Sequence, residues 1–336
     1  MTADQRAPTL VAARGAVARQ ELGRRERRAR RRRVADQLAQ RHGGVVRRQV
    51  LAAHDISPEE VRTELRVGSW HRAGKHTLSI DAREPHGHGR FWWALWESGP
   101  RSVLDGTSAL IWCGLTGWSE QAVRVSVPRN ATLRDVPGIE RRYTRDLGPV
   151  NRLWLPHAVP AAAAVRAAQW AVSDTQAATI LAMAVQQRIA RPEDILEFWA
   201  TVAASPRRDF LDAVIQDVCD GAHSLNELDV ARLCRRRGFP EPTRQQVRRG
   251  RNGRVYLDVY WDDLGVHLEI QGAHHFQGLK GVDDALRSNE QAILHADDIQ
   301  LQLPVLGLRT RPDAFLDQIG QALELGRRRH AAARDR

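Results

Sequence analysis

Apolar and polar positions alternate most regularly near the C-terminus, in VYLDVYW and VHLEIQG. The period of two predicts adjacent strands over 254–260 and 266–271, joined by the turn-prone WDDLG. Upstream, SLNELDVARLCRRRG has helical spacing, with Ser224 as N-cap and Gly238 at its end. Downstream, the pattern predicts a helix over Asp284–His295, a strand over Ile299–Val305 and a helix over Pro312–Leu325. The order α-β-β-α-β-α suits a mixed sheet flanked by helices, beginning near His223 and ending near residue 326.

Toward the N-terminus the pattern predicts three short helices: Val34–Gln40, Arg47–Ala53, and one running from Ser57 to about Val67. The third has the strongest start signal, with Ser57 at the N-cap, Pro58 in the first turn and Glu60 at the third helical position. Trp70–Ala73 and His76–Ile80 then read as a small wing, so 34–80 is expected to form a winged helix-turn-helix. Between 81 and 222 a small α+β unit is expected. An irregular aromatic stretch over 81–105 precedes a helix over Thr107–Leu115 and strands over Val123–Val127 and Ile139–Tyr143. Alanine-rich helices follow over Pro160–Val172 and Thr175–Ile189, and Pro192–Ala203 is another helix. The fold class is therefore α+β.

Charge changes the picture at one end. Of the net charge of +11, residues 1–33 supply +8, from eleven arginines against Asp4, Glu21 and Glu26. This stretch reads as a basic disordered arm able to raise nucleic-acid affinity in a salt-dependent way, and 327–336 as a charged tail. Lys75 and Lys280 are the only lysines, a skew that points to a GC-rich genome and weakens any argument from arginine number alone. The chain has no apolar run long enough for a membrane span and no secretory h-region. Cys113, Cys219 and Cys234 stand singly, which fits a reduced bacterial cytoplasm.

The candidate chemistry lies in the predicted hairpin. Asp258 and Glu269 occupy mid-strand positions that disfavour carboxylates and can face the same side of the sheet. With Gln271 and His275 beside them they make a candidate divalent-metal site, Asp258 and Glu269 being the metal ligands. Glu227 could reach in from the preceding helix, although Ser224-Leu-Asn-Glu227 also fits a capping box. Arg287 could clamp a phosphate or simply pair with Asp284 along its helix. On the winged helix, Arg47, Arg48, Arg62, Arg66 and Lys75 are candidate DNA contacts, with Glu59, Glu60 and Glu64 opposing them.

These motifs resemble known families. SLNELDVARLCRRRGFPEPTRQ, YLDVYW, LEIQGAHH, DDALRSNE and LPVLGLR, within 223–325, resemble the PD-(D/E)XK nuclease superfamily near very-short-patch-repair endonucleases. The likeness is greatest to the bacterial domain of unknown function 559. Residues 34–80 resemble the winged helix that precedes abortive-infection antitoxin (AbiEi-type) domains, a pairing typical of actinobacteria. The resemblance implies a restriction-endonuclease-like core with Asp258 and Glu269 holding Mg²⁺ or Mn²⁺. It also implies Glu227 on the first core helix and His275 after the second catalytic strand. DNA is the implied partner, with a cognate toxin or defence-system protein as a second. The superfamily expects Lys two positions after the second acid, and this branch usually shows Asp; here Gln271 stands there. Gln cannot serve as a base near neutral pH, so the resemblance admits two outcomes: a metal-dependent endonuclease, or a DNA-binding regulator on a degenerate nuclease fold.

Overall fold

The computed structural model describes residues 7–219, 230–249, 255–271, 280–295 and 299–334. The protein is of the α+β class and folds as two compact units, residues 1–104 with 121–147, and 105–120 with 148–336.

The first unit begins with a long helix, α1 (Ala7–Gln40), followed by β1 (Val45–Arg47), α2 (Arg48–Ala53), α3 (Pro58–Arg66) and β2 (Thr77–Ser79). β1 and β2 pair antiparallel, and a bridge between His71 and Ser79 adds the third edge of a wing. Ala35, Ala39, Leu51, Ile56, Val61, Trp70 and Leu78 form one buried core under this wing. The start of α3 has the capping box its sequence announces: Ser57 Oγ accepts the Glu60 amide, and Glu60 accepts the Ser57 amide.

The stretch expected to be a disordered arm is helical from Ala7 onward, within α1. Arginine is a good helix former, and the basic run finds acidic partners on α3. Arg28, Arg31 and Arg32 all bond Glu64, at 3.0, 2.5 and 2.9 Å, and Arg31 also bonds Glu60 at 2.8 Å. Glu64 itself is fully buried. Burial raises its carboxyl pKa, but the three guanidiniums win and bring it down to about 2.

The aromatic stretch expected to be irregular forms α4 (Gly89–Glu97), which buries Phe91, Trp92 and Leu95. It ends on a buried carboxylate that ties it to the wing. Glu97 accepts the Lys75 and His76 amides at 2.9 and 2.8 Å and the Thr77 hydroxyl at 2.8 Å. The boundary expected at residue 80 is therefore bridged. Glu97→Ala would strand these donors and is expected to lower stability by about 2–3 kcal/mol in urea unfolding, with less hydrogen-exchange protection at Lys75 and His76. The unit continues with β3 (Val103–Leu104). After α5 (Gly106–Trp112), which belongs to the second unit, come β4 (Val123–Pro128) and β5 (Ile139–Thr144). β4 lies between β3, antiparallel, and β5, parallel.

In the second unit, β6 (Val150–Asn151) and β7 (His157–Ala158) pair antiparallel. The helices α6 (Pro160–Gln169), α7 (Asp174–Gln186), α8 (Pro192–Ala200) and α9 (Arg208–Cys219) follow. Alanines at Ala161–Ala164, Ala167 and Ala168 are buried, so small side chains let these helices approach closely. A buried pair, Asp105 with Arg166 at 2.7 Å, joins α5 to α6.

The remainder comprises α10 (Val230–Arg237), β8 (Arg244–Arg249), β9 (Val255–Trp261), β10 (Val266–Gln271), α11 (Lys280–His295), β11 (Ile299–Pro304), α12 (Val305–Thr310) and α13 (Pro312–Arg334). The sheet order is β11-β10-β9-β8. β8-β9-β10 are antiparallel; β11 returns parallel to β10 after α11. One face is apolar, with Leu257, Val259, Trp261, Val266, Leu268, Ile270, Ile299, Leu301 and Leu303 all buried. Asn289 of α11 bonds the Gln302 backbone and Gln318 of α13, fixing both helices to β11. One sequence expectation changes here. The charged tail from residue 327 continues α13 to Arg334. The boundary expected at 222/223 lies outside the described residues, and α12 packs on α7 and α9 with Arg309 bonding buried Asp217 at 3.0 Å. Burial pushes the Asp217 carboxyl up even though Arg309 opposes the shift.

Candidate metal and nucleic-acid sites

Strand pairing places the two acids side by side. Asp258 of β9 is directly opposite Glu269 of β10, and the row continues to Gln246 of β8 and Gln302 of β11. Because side chains alternate along a strand, this row and its neighbours Tyr260, His267 and Gln271 share the polar face, opposite the apolar core. Asp258 is 3% exposed and Glu269 is half-buried. Gln271 Nε2 donates to Glu269 Oε1 at 2.9 Å, which fixes one carboxylate oxygen and turns the amide oxygen away from it. His267 stacks flat on Tyr260, with ring centres 4.3 Å apart and planes at 3°. Its Nε2 lies 3.8 Å from Asp258 Oδ1.

Asp258 and Glu269 are the side chains that could contact a small divalent cation here. Two carboxylates from adjacent strands supply hard oxygens. His267 Nε2 is a buried nitrogen with no hydrogen-bond partner among the described residues. Among the described residues no group of three or more His, Cys, Asp or Glu side chains is arranged to hold a metal ion. Mg²⁺, which keeps several waters, does not require such a group. Glu227 and His275, expected at this site, lie outside the described residues.

Arg287 does not stand as a free clamp: it pairs with Asp284 along α11, as the spacing allowed. In the N-terminal unit, Arg62 is likewise engaged by Glu59 within α3, and Arg66 is exposed in its last turn. The wing is different. Arg47 closes β1, Arg48 opens α2 beside His76, and Lys75 is exposed at the tip. Arg47 Nε and Arg48 Nη2 are buried donors with no hydrogen-bond partner among the described residues. Burial and then the neighbouring Arg72 lower the Arg48 pKa, with Glu97 opposing. A cleft of about 640 Å³ beside the wing is lined by His71, Arg72, His86, Arg90 and Trp93, with Glu84 in its wall. Sequence reasoning missed His267 and Arg72. His267 was findable, since it precedes Glu269 by two and shares its parity; Arg72 carries no such signal.

No family model matches the chain, and no curated protein matches it. Among solved structures, the RV2827C protein from Mycobacterium tuberculosis is similar at 16% identity with a TM-score of 0.40, over 58% of this chain and 78% of that one. Among the described residues no helix is long and apolar enough to cross a membrane.

Proposed function

We propose that this chain is a DNA-binding protein whose C-terminal sheet carries a metal-dependent phosphodiester-cleaving centre, acting in defence or DNA repair in the bacterial cytoplasm. The observation that carries this reading is the direct opposition of Asp258 and Glu269 on the polar face of a sheet whose other face is core. Two carboxylates converging from adjacent strands offer the hard oxygen ligands that a divalent cation takes. Asp258 and Glu269 would hold Mg²⁺ or Mn²⁺, with Gln271 orienting Glu269. When bound, such an ion supplies Lewis-acid polarisation of the phosphate and a water of lowered pKa. Arg72 and Lys75, both exposed on this segment, supply cationic contacts suited to a phosphate backbone.

A second reading, a non-catalytic antitoxin-like regulator with a cognate toxin or defence-system protein as partner, draws support from Gln271. Its amide occupies a ligand oxygen where the resembled nucleases place a base. Cleavage of supercoiled and single-stranded DNA with Mg²⁺ or Mn²⁺ separates the two. The nuclease reading expects nicking that EDTA abolishes, and Gln271→Lys or Gln271→Asp is expected to raise the rate by about tenfold or more. Tight DNA binding with no cleavage by the native chain or either variant selects the regulator.

A further inference from the structure

We infer that the cleft beside the wing is a nucleotide pocket, taking a base against Trp93 and a phosphate against Arg72. It lies wholly within the first unit and is independent of the carboxylates on the C-terminal sheet. Its volume of about 640 Å³ falls in the range of small-molecule sites. Three stretches converge on it: His71 and Arg72 ahead of β2, Glu84 and His86 ahead of α4, and Arg90 with Trp93 one turn apart on α4. Two arginines and two imidazoles against one carboxylate favour an anionic ligand. His86 is partly engaged by Asp81, 3.6 Å from its Nε2, and the Arg90 guanidinium lies over the Phe91 ring. Arg72 is exposed and makes no ion pair among the described residues, so it is the cation left to meet a phosphate. Trp93 is half-buried, and its indole is held at both ends. Nε1 donates to the Ala73 carbonyl at 2.8 Å, and at Gly138 a Cβ would come within 3.2 Å of Cη2. A ring fixed in this way gives up little freedom when a base stacks on it. A bare phosphate would use the cations, leave the indole idle and be repelled by Glu84. A nucleotide uses all three, because Glu84 can accept a hydrogen bond from an exocyclic amine. A free nucleoside monophosphate and the phosphorylated end of a single strand share this chemistry.

The test is isothermal titration of the full chain with dAMP, deoxyadenosine, inorganic phosphate and a 5′-phosphorylated oligodeoxyadenylate, with circular dichroism as the check on each variant's fold. The native chain is expected to bind dAMP about tenfold or more tightly than either deoxyadenosine or inorganic phosphate. Arg72→Gln is expected to weaken dAMP by about tenfold while leaving deoxyadenosine within about twofold, since the exposed guanidinium meets only the phosphate. Trp93→Leu is expected to weaken dAMP and deoxyadenosine alike, by about tenfold, because both lose the stack. Should Trp93→Leu fail to fold, Arg72→Gln still decides, because its side chain is exposed and supports no core. Displacement of dAMP by the oligonucleotide, weakened by Arg72→Gln in the same measure, assigns the pocket to a strand end; dAMP binding without displacement assigns it to free nucleotides. The inference is overturned if the native chain does not bind dAMP at millimolar concentration, if inorganic phosphate binds as tightly as dAMP, or if Arg72→Gln leaves dAMP affinity unchanged.

Discussion

Replacing Glu64 with glutamine is expected to destabilise the N-terminal unit by about 3 kcal/mol, the scale for removing one partner from a buried ionic cluster. Glu64 is fully buried and is the convergence point of Arg28, Arg31 and Arg32. The neutral amide leaves three guanidiniums close together without the charge that drew them there. The Arg28 and Arg32 side chains are 40% and 42% exposed, so water screens part of the loss. Glu59→Gln is the matched control. Its pair with Arg62 is exposed and lies within one helix, so its removal is expected to leave the unfolding midpoint unchanged within error.

The same cluster sets a pH dependence whose sign is fixed. The Glu64 carboxyl is depressed to about 2 in the folded unit against 4.5 as its ordinary value. A depressed carboxyl stabilises fully above the ordinary value, and that contribution is lost as pH falls from about 4.5 toward 2. Glu64→Gln removes this component, so the variant is expected to lose less stability than the native chain between pH 6 and pH 3. Urea unfolding at the two pH values measures it, and equal losses would show that Glu64 is not the titrating group.

The second large effect concerns the sheet. Asp258→Asn is expected to reduce metal-dependent DNA cleavage by on the order of 10²–10⁴-fold, because loss of a charged ligand forfeits several kcal/mol of transition-state stabilisation. Asparagine keeps the size of this buried side chain, so circular dichroism and thermal unfolding in EDTA are expected to show a folded variant.

How much of this was legible depends on where each residue's partners lie. The capping box at Ser57 and the strands carrying Asp258 and Glu269 rest on neighbours within a few positions, and the structure places them close to where the pattern put them. Strand parity also brought Asp258, Glu269 and Gln271 onto one face. The basic arm was misjudged because its partners are remote: Glu64 lies more than thirty positions from Arg28, and counting charge cannot see that a run of arginines is neutralised by another helix. β8 was invisible for a related reason, since RQQVRR has no alternation of its own and becomes a strand by pairing with β9. His267 carried the right parity, but nothing in the sequence showed its ring stacked on Tyr260 beside Asp258.

The central claim is that the opposed carboxylates form a cation-dependent cleavage centre. It is tested most directly by the initial rate of supercoiled plasmid nicking in Mn²⁺, native chain against Asp258→Asn, with both proteins verified as folded. The account predicts nicking by the native chain, abolished by EDTA and at least about a hundredfold slower in the variant. Equal rates in the two proteins, or no nicking by a native chain that binds DNA tightly, would contradict it.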